Sequence, residues 1–437
     1  MNQRSLIGSW ILLVWMVSQA TADMDVFLGW DKQIFSSYVL STSTVERKAD
    51  PEDETRLGDI RGLMGVVVQA NEDDEPIRVT IICDEFIEPS EFSGTLADEG
   101  ETYRISPRIR YRFEKLSHCR QATPANVTIR IEQGENDVVE VNETVTFRSI
   151  HDCPYLVQDG DKLIEMDYNF AAYVNEQHPY VDKLLREALD IGVVDRFVGY
   201  QEGNEESVLR QVYALWDLLV CRDVRYSSIT ATSAVSKTLA CQHVRLLEDT
   251  INNTQANCVD GSVLFVSMLR KIGIHSTLVL TPTHCYVGFW SDSKRQKFYG
   301  LETTLVDLVA EAPKTPKFLQ NAVAHDLRGE TSWPSFVHAI LAGSNQLKAA
   351  LKDKDGDSKK ERIAIIDIQQ ARQAGILPIP FTGKEEFVSF DFSEMEERDG
   401  ADSSADEEED DEGEEGEVGE VGEDEEDTEW DSEESDE

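Results

Sequence analysis

The sequence predicts an α+β protein in which an antiparallel β-sandwich precedes a region that mixes helices and strands. The first observation is the strict alternation of apolar and polar residues in several short runs before residue 153. The second is a change to helical spacing after that residue. The third is a buried helix that begins at a cysteine and precedes two strand-like runs. Period-two runs followed by helical patterns are typical of this fold class.

Four runs in the first region carry the period-two pattern of a sheet that has one face in water. Their apolar positions are Ile77, Val79, Ile81 and Cys83; Tyr103, Ile105, Ile109, Tyr111 and Phe113; Val127, Ile129 and Ile131; and Val139, Val141, Val145 and Phe147. Arginines alternate with the apolar residues of the second run, and a solvated outer face explains them better than a ligand-binding stripe does. We therefore expect a β-sandwich domain over residues 60–153.

Two helices are predicted after the β region, and both are expected to serve packing. The first has an apolar stripe made of Val181, Leu184, Leu185, Ala188 and Leu189. Gly192 follows this stripe and is placed to end the helix. The second helix covers about residues 205–219, and Asn204 is placed to cap its N-terminus.

The N-terminus has the pattern of a signal peptide over residues 1–22. Arg4 supplies a positive start, residues 6–17 are largely apolar, and a small-residue cleavage pattern ends at Ala22. An uncleaved membrane anchor is the alternative, but the run is shorter than the ~20 residues that span a bilayer. We expect a secreted or periplasmic protein without a transmembrane segment in its mature form. Residues 23–59 are polar and are expected to form an irregular linker.

The negative charge of the chain is concentrated at the C-terminus. The 437 residues carry a formal charge of −44, and residues 385–437 hold 30 of the 85 acidic residues but only one basic residue, Arg398. Such a segment cannot bury enough apolar surface, so residues 383–437 are expected to form a disordered, solubilising acidic tail. Contact with divalent cations or a basic partner is the alternative. The charge disfavours nucleic acid and anionic membranes as partners.

The seven cysteines leave at least one thiol free if the others pair. Their positions are 83, 119, 153, 221, 241, 258 and 285. Three disulfides and one reactive thiol at Cys258 would satisfy the odd count in an exported protein. Complete pairing would require a bridge between the two predicted domains, so partial pairing remains open.

The most informative segment is residues 257–273, which predicts a buried helix with Cys258 in its first turn. Unpaired backbone N–H groups and the helix dipole at that end stabilise a thiolate, the reactive form of cysteine. His284 lies on the first strand-like run after the helix, and Glu302 lies on the next. His284 is placed to accept the thiol proton, and Glu302 to orient the imidazole. Cys285 alternates with His284 along the strand, which disfavours a metal site made by these cysteines and the histidine.

This order of residues resembles the transglutaminase-like cysteine superfamily, most closely a group of largely uncharacterised exported bacterial proteins. The resemblance covers roughly residues 60–382 and rests on the stretches FAAYVNEQHPYVDKLLREAL, RYSSITATS, NCVDGSVLF and IDIQQARQAGILPIPF. It implies a papain-like core over residues 154–382 with a catalytic triad and no cofactor. Many relatives have aspartate at the third position, where this chain has Glu302.

The resemblance implies acyl transfer through a thioester on Cys258, with a protein or peptide as substrate. The backbone N–H of Cys258 and the side chain of Gln242 are candidate oxyanion donors, although Gln242 in a packing role is the simpler reading. Water would complete a hydrolase reaction, and an amine would complete a transamidation. A catalytically inactive binding or scaffold protein that keeps the fold is the alternative from another class.

Overall fold

The computed structural model describes residues 24–45, 54–159, 162–229, 232, 236–311, 313–352, 363–383 and 386–390. All of them belong to one compact unit that ends at Phe390. The predicted signal peptide and residues 391–437 of the predicted tail lie outside the described residues. Both helices and sheets are present, which confirms the α+β class.

Two sheets form the N-terminal part. The first contains β1 (Met24–Leu28), β4 (Met64–Gln69), β7 (Thr102–Ser106) and β3 (Arg56–Gly58), in that spatial order. The second contains β2 (Gln33–Phe35), β10 (Val139–Arg148), β9 (Thr123–Gln133), β5 (Glu75–Cys83), β6 (Ile87–Leu96) and β8 (Arg110–Tyr111). Most pairs are antiparallel, but β2 lies parallel to β10 and β3 lies parallel to β7. Alternate residues of β5 are buried, as their period-two pattern predicted.

The expected irregular linker over residues 23–59 is wrong for much of its length. It contains β1, β2, β3 and a short helix, α1 (Ser36–Ser41). Three of these elements are strands of only three to five residues, and the period-two signal is weak over so short a length. A second short helix, α2 (Phe113–Ser117), replaces the end of the predicted second strand run.

The C-terminal part surrounds a four-stranded antiparallel sheet. Its spatial order is β18 (Phe298–Leu301), β17 (Cys285–Trp290), β16 (Ser276–Leu280) and β19 (Ala364–Asp367). The helices are α3 (Pro179–Ile191), α4 (Glu205–Cys221), α5 (Leu247–Asn253), α6 (Cys258–Lys271), α7 (Ser332–Lys352) and α8 (Ile368–Gln373). The remaining strands are β11 (Asp152–Asp159), β12 (Lys162–Glu165), β13 (Arg225–Tyr226), β14 (Leu239–His243) and β15 (Gln255–Ala256).

The predicted ends of α3 and α4 are confirmed by their capping contacts. Gly192 ends α3 with a φ of 90°, in the left-handed region that glycine adopts without steric cost. The side chain of Asn204 accepts a hydrogen bond from the backbone N–H of Ser207 and so caps α4.

The predicted domain boundary after Cys153 falls inside β11, which pairs with β14 of the C-terminal part. A buried ion pair lies just before this position, since Arg148 Nη2 is 2.6 Å from Asp152 Oδ2. The chain therefore passes from the first part to the second within one strand. A sequence boundary based on a change of period cannot detect such a shared strand.

None of the seven cysteines, all of which lie in the described part of the chain, forms a disulfide, so the expected disulfides are absent. Cys83, Cys119, Cys153, Cys258 and Cys285 are buried, and no two of them share a helix or strand. Burial among apolar neighbours is a common state for a thiol that is not paired. No helix among the described residues is long and apolar enough to cross a membrane.

The boundary of the acidic tail lies further along the chain than expected. Residues 386–390 are described, and the backbone N–H of Val388 donates to Asn252 Oδ1 at 3.0 Å. Before this segment, β19 leads directly into the short helix α8, which ends at Gln373.

Candidate active site

The first turn of α6 is fixed by a capping box. Asn257 Oδ1 accepts hydrogen bonds from the backbone N–H groups of Val259 and Asp260, both at 2.9 Å. In return, the Asp260 carboxylate accepts from the backbone N–H of Asn257 at 3.0 Å. This reciprocal arrangement satisfies orphan donors of the helix end and sets the position of Cys258 as the first helical residue.

A second layer of contacts holds this turn against the rest of the protein. Asp260 is fully buried, and its carboxylate pairs with the Arg245 guanidinium at 2.6 Å. Asn257 Nδ2 donates to the carbonyl oxygen of Ile229 at 3.0 Å. The position of the cysteine therefore depends on α6, on residue 245 before α5, and on the segment after β13.

The strands behind α6 place the histidine and the acid. His284 immediately precedes β17, and Glu302 immediately follows β18. Because β17 and β18 are antiparallel neighbours, these two ends meet at the same edge of the sheet. One more strand, β16, lies in sequence between α6 and His284. The structure therefore brings Cys258, His284 and Glu302 together.

The three side chains form a hydrogen-bonded chain. His284 Nε2 lies 2.6 Å from Glu302 Oε2, and the thiol of Cys258 also hydrogen-bonds the imidazole. Since Nε2 is engaged by the carboxylate, Nδ1 is the ring nitrogen left for the thiol. Cys258 is 8% exposed and Glu302 is 4% exposed, whereas the His284 side chain keeps 27% of its surface in contact with solvent.

The charges of this chain favour an imidazolium. The hydrogen bond to Cys258, followed by the bond to Glu302, raises the pKa of His284 to about 10 despite its partial burial. Burial raises the pKa of Glu302, but the hydrogen bond and charge of His284 outweigh this and lower it below its usual value. A histidine that an ionised carboxylate orients and that a thiol contacts is the arrangement that general-base activation of cysteine requires.

Both oxygens of the Glu302 carboxylate accept hydrogen bonds that fix its position. Oε1 accepts hydrogen bonds from the hydroxyl and the backbone N–H of Thr304, at 2.7 and 3.2 Å. Oε2 also accepts from Gln346 Nε2, on α7, at 3.3 Å. Sequence reasoning missed Gln346, because a contact across 44 residues leaves no local pattern.

The helix α7 approaches the strand before Glu302 very closely. A Cβ atom on Gly300 would lie 2.3 Å from the carbonyl oxygen of Gly343, so neither position has room for a side chain. The backbone N–H of Glu302 also donates to the carbonyl oxygen of Ala339, at 3.0 Å. This hydrogen bond to α7 helps to fix the position of Glu302 relative to His284.

Cys285 differs from Cys258 in its surroundings. It is fully buried, and burial raises the pKa of its thiol well above the ordinary value. Ser262 on α6 links the two cysteine residues. Its hydroxyl donates to the carbonyl oxygens of Cys258 at 2.7 Å and of Cys285 at 3.4 Å. No group of three or more histidine, cysteine or acidic residues in the described part of the chain could hold a metal ion.

Gln242 lies on β14, and its side-chain amide donates to the carbonyl oxygen of His243 at 3.1 Å. Asn257 Nδ2 approaches the same carbonyl at 3.4 Å, so Gln242 lies close to the residue before Cys258. His243 itself faces His151, with ring centroids 5.2 Å apart, and burial lowers its pKa. It has no place in the hydrogen-bonded chain of Cys258.

Tyr226 is a further neighbour that sequence reasoning did not single out. It lies on β13 and is 41% exposed. Partial burial raises its pKa, and the charges of Cys258 and Glu302 raise it further, so the phenol lies within electrostatic range of the site. Ile229, three residues on, is 56% exposed and is tied to the α6 cap through its carbonyl oxygen. The segment that carries these two exposed side chains is thus tied to the residue before Cys258.

Concave sites elsewhere do not include the hydrogen-bonded chain. One is lined by residues that include His178, Glu248 and Phe381, and another by residues that include Arg210, Gln320 and Arg328.

Comparisons with known proteins do not assign the chain to a family. No protein-family model matches the chain. No curated protein matches it significantly either.

Proposed function

We propose that the protein is an exported, cysteine-dependent acyl-transfer enzyme that acts on an amide of a protein or peptide. The observation that carries the proposal is the chain Cys258–His284–Glu302 at the N-terminus of α6. A cysteine with no catalytic role needs neither an imidazole on its thiol nor a carboxylate behind that imidazole.

A transglutaminase-like, papain-like core is part of this proposal. In support, the cysteine begins a buried helix, and the histidine and the acid lie at neighbouring strand ends of the sheet behind it. Glu302 in place of the more common aspartate reaches the imidazole at 2.6 Å, so the longer side chain is compatible with the arrangement.

The reaction begins with attack of the Cys258 thiolate on the carbonyl carbon of an amide. The carbon–sulfur bond forms, and the carbonyl electron pair moves to oxygen. His284 then gives its proton to the leaving nitrogen, the carbon–nitrogen bond breaks, and a thioester remains. In the second half, His284 removes a proton from water or from an amine, which attacks the thioester and releases the Cys258 thiolate.

The tetrahedral oxyanion requires donors near the thiol. The backbone N–H of Cys258 is at the helix N-terminus, where it has no acceptor within α6. Gln242 is the second candidate, since its amide lies close to Asn257. The exposed side chains of Tyr226 and Ile229 offer an apolar surface for the acyl part of the substrate.

A non-catalytic binding protein is the second candidate, and the 8% exposure of Cys258 favours it. The rate of Cys258 alkylation by iodoacetamide as a function of pH distinguishes the two. We expect the wild-type thiol to react faster than an ordinary exposed thiol at about pH 6, because the neighbouring imidazole takes up the thiol proton. His284→Ala should remove this low-pH reactivity, whereas His325→Ala, at an exposed histidine, should not.

Mass spectrometry of the peptide that contains Cys258 separates its alkylation from that of the other thiols. An unreactive Cys258, or one pH profile shared by wild type and His284→Ala, would favour the binding protein. Low-pH reactivity that depends on His284 supports the enzyme. Substrate screening with and without an added amine then separates hydrolysis from transamidation.

A further inference from the structure

Residues 386–390, with the sequence EFVSF, lie on the surface as an extended segment that the protein holds by its main chain. The carbonyl oxygen of Glu386 accepts from Asn252 Nδ2 at 2.9 Å, and the backbone N–H of Val388 donates to Asn252 Oδ1 at 3.0 Å. One carboxamide thus binds two successive main-chain groups on the same side of the segment.

Two buried charged side chains continue this pattern. Arg222 Nη2 donates to the carbonyl oxygen of Val388 at 2.7 Å, and the backbone N–H of Phe390 donates to Glu187 Oε1 at 3.1 Å. Arg222 is 4% exposed and Glu187 is 7% exposed, and they bind each other at 2.6 Å. The four hydrogen bonds involve residues 386, 388 and 390, which is the alternation of a strand added to a sheet edge.

The side chain of Phe387 occupies an aromatic and cationic pocket. Its ring meets Tyr180 edge-on at 5.1 Å between centroids. The Lys183 ammonium and the Arg222 guanidinium lie 4.9 and 5.1 Å from the ring centroid. Contacts of this kind select an aromatic side chain. Val388, by contrast, is 56% exposed, so only its main chain is recognised.

We propose that the groove formed by Tyr180, Glu187, Arg222 and Asn252 is a peptide-docking site. Its ligand is an extended peptide with phenylalanine at the second of five positions, and the chain supplies that ligand itself as residues 386–390. The site lies on α3, on the residue that ends α4, and on α5, and it is independent of the chemistry at Cys258. It ties the start of the acidic segment to the globular unit.

A competition experiment in the full chain tests whether the segment is a separable ligand. A fluorescent peptide that spans residues 384–392 is titrated into wild type and into Phe387→Ala, and anisotropy is followed. A ligand in the same chain has an effective concentration of about millimolar, so wild type should resist the added peptide. Phe387→Ala should bind it at least about tenfold more tightly, because the tethered ligand has lost its anchor.

Two matched controls define the recognition. Val388→Ala keeps the main-chain contacts and should resist the peptide as wild type does. A peptide that carries the Phe387→Ala change should bind neither protein. Equal binding to wild type and Phe387→Ala, or no binding to a folded Phe387→Ala, would overturn the proposal.

A second variant tests the groove without altering the segment. Asn252→Ala should expose the bonds after Phe387 and Phe390 to chymotrypsin and raise their cleavage rate at least about tenfold over wild type. Asn253→Ala, at the exposed neighbour, should cleave at the wild-type rate. Equal cleavage of all three proteins, or loss of the folded state in Asn252→Ala, would show that the segment is a fixed part of the fold.

Discussion

The charge on His284 is set by two side chains, one from earlier in the sequence and one from later. Cys258 lies 26 residues before it and Glu302 lies 18 residues after it, and both favour the protonated ring. The folded-state pKa of about 10 exceeds the ordinary value near 6.5. This charge therefore adds stability that is fully present below the ordinary pKa and is lost as the pH rises through about 10.

An NMR titration of the histidine rings tests this charge. In wild type, the His284 signals should remain those of an imidazolium from about pH 6 to about pH 8. Cys258→Ala removes the largest contribution and should lower the pKa of His284 towards its ordinary value. Glu302→Gln should lower it less, because the hydrogen bond to Cys258 remains.

Two further variants assign the His284 signals and test whether the loss of a thiol affects the titration only at Cys258. His284→Ala identifies the signals by their loss, and Cys83→Ala removes a buried thiol in β5 that should not affect the titration. A wild-type midpoint near the ordinary value of about 6.5 would contradict the charged pair.

At this scale, sequence reasoning found residues whose roles depend on local position. Cys258 at a helix start could be recognised from the buried run that follows it. Gln346 and Tyr226 could not, because their proximity to Glu302 and Cys258 comes from the packing of α7 and β13. No property of either residue type marks it as part of a site.

Among the helices and strands, α7 fixes the position of Glu302, the acid of the candidate site. Gly343→Ala would place a Cβ atom 2.5 Å from the carbonyl carbon of Gly300. Helix and strand must then separate, at a cost of about 1–3 kcal/mol in the free energy of unfolding. Because Glu302 follows β18 directly, its contact with His284 should loosen, and the low-pH alkylation of Cys258 should fall.

Urea unfolding and the alkylation assay together measure this effect. Asn345→Ala is the control, since residue 345 is exposed on the same helix, and it should change stability by less than about 0.5 kcal/mol. A Gly343→Ala protein with wild-type stability and alkylation would show that α7 does not position Glu302.

The elements that sequence predicted best are those with caps and long apolar patterns. Asn204 and Gly192 mark the ends of α4 and α3, and the period-two run of β5 gives its buried face directly. The short strands β1, β2 and β3 were missed, because strands of three to five residues carry too few repeats. Their pairing with β4, β10 and β7 is decided by tertiary contact.

Across the whole molecule, a charged network joins the N-terminal sheets to the helix that leads to Cys258. Arg120, after α2, lies 3.4 Å from the Glu248 carboxylate and 2.9 Å from that of Asp249, both on α5. His178 Nε2 lies 3.1 Å from the other oxygen of Glu248. The sequence could not predict this network, because its members are separated by up to 129 residues.

Glu248 gives the network its pH dependence. It is 3% exposed, and burial alone would raise its pKa. The hydrogen bond and charge of His178, with the charge of Arg120, outweigh burial and lower that pKa. A lowered folded-state pKa adds stability that is present above the unfolded value and is lost as the pH falls through the folded value.

Glu248→Gln should therefore destabilise the protein near neutral pH by about 1–3 kcal/mol, because the amide carries no charge to pair with Arg120 and accepts a weaker hydrogen bond from His178. The difference from wild type should begin to shrink as the pH falls below about 4.5 and should vanish once the pH has passed the lower folded-state pKa, where wild-type Glu248 is also neutral. Urea unfolding at a series of pH values measures both effects. Glu85→Gln, at an exposed position, should follow wild type throughout. A Glu248→Gln deficit that stays constant down to acid pH would mean that shape, and not charge, joins the two parts of the molecule.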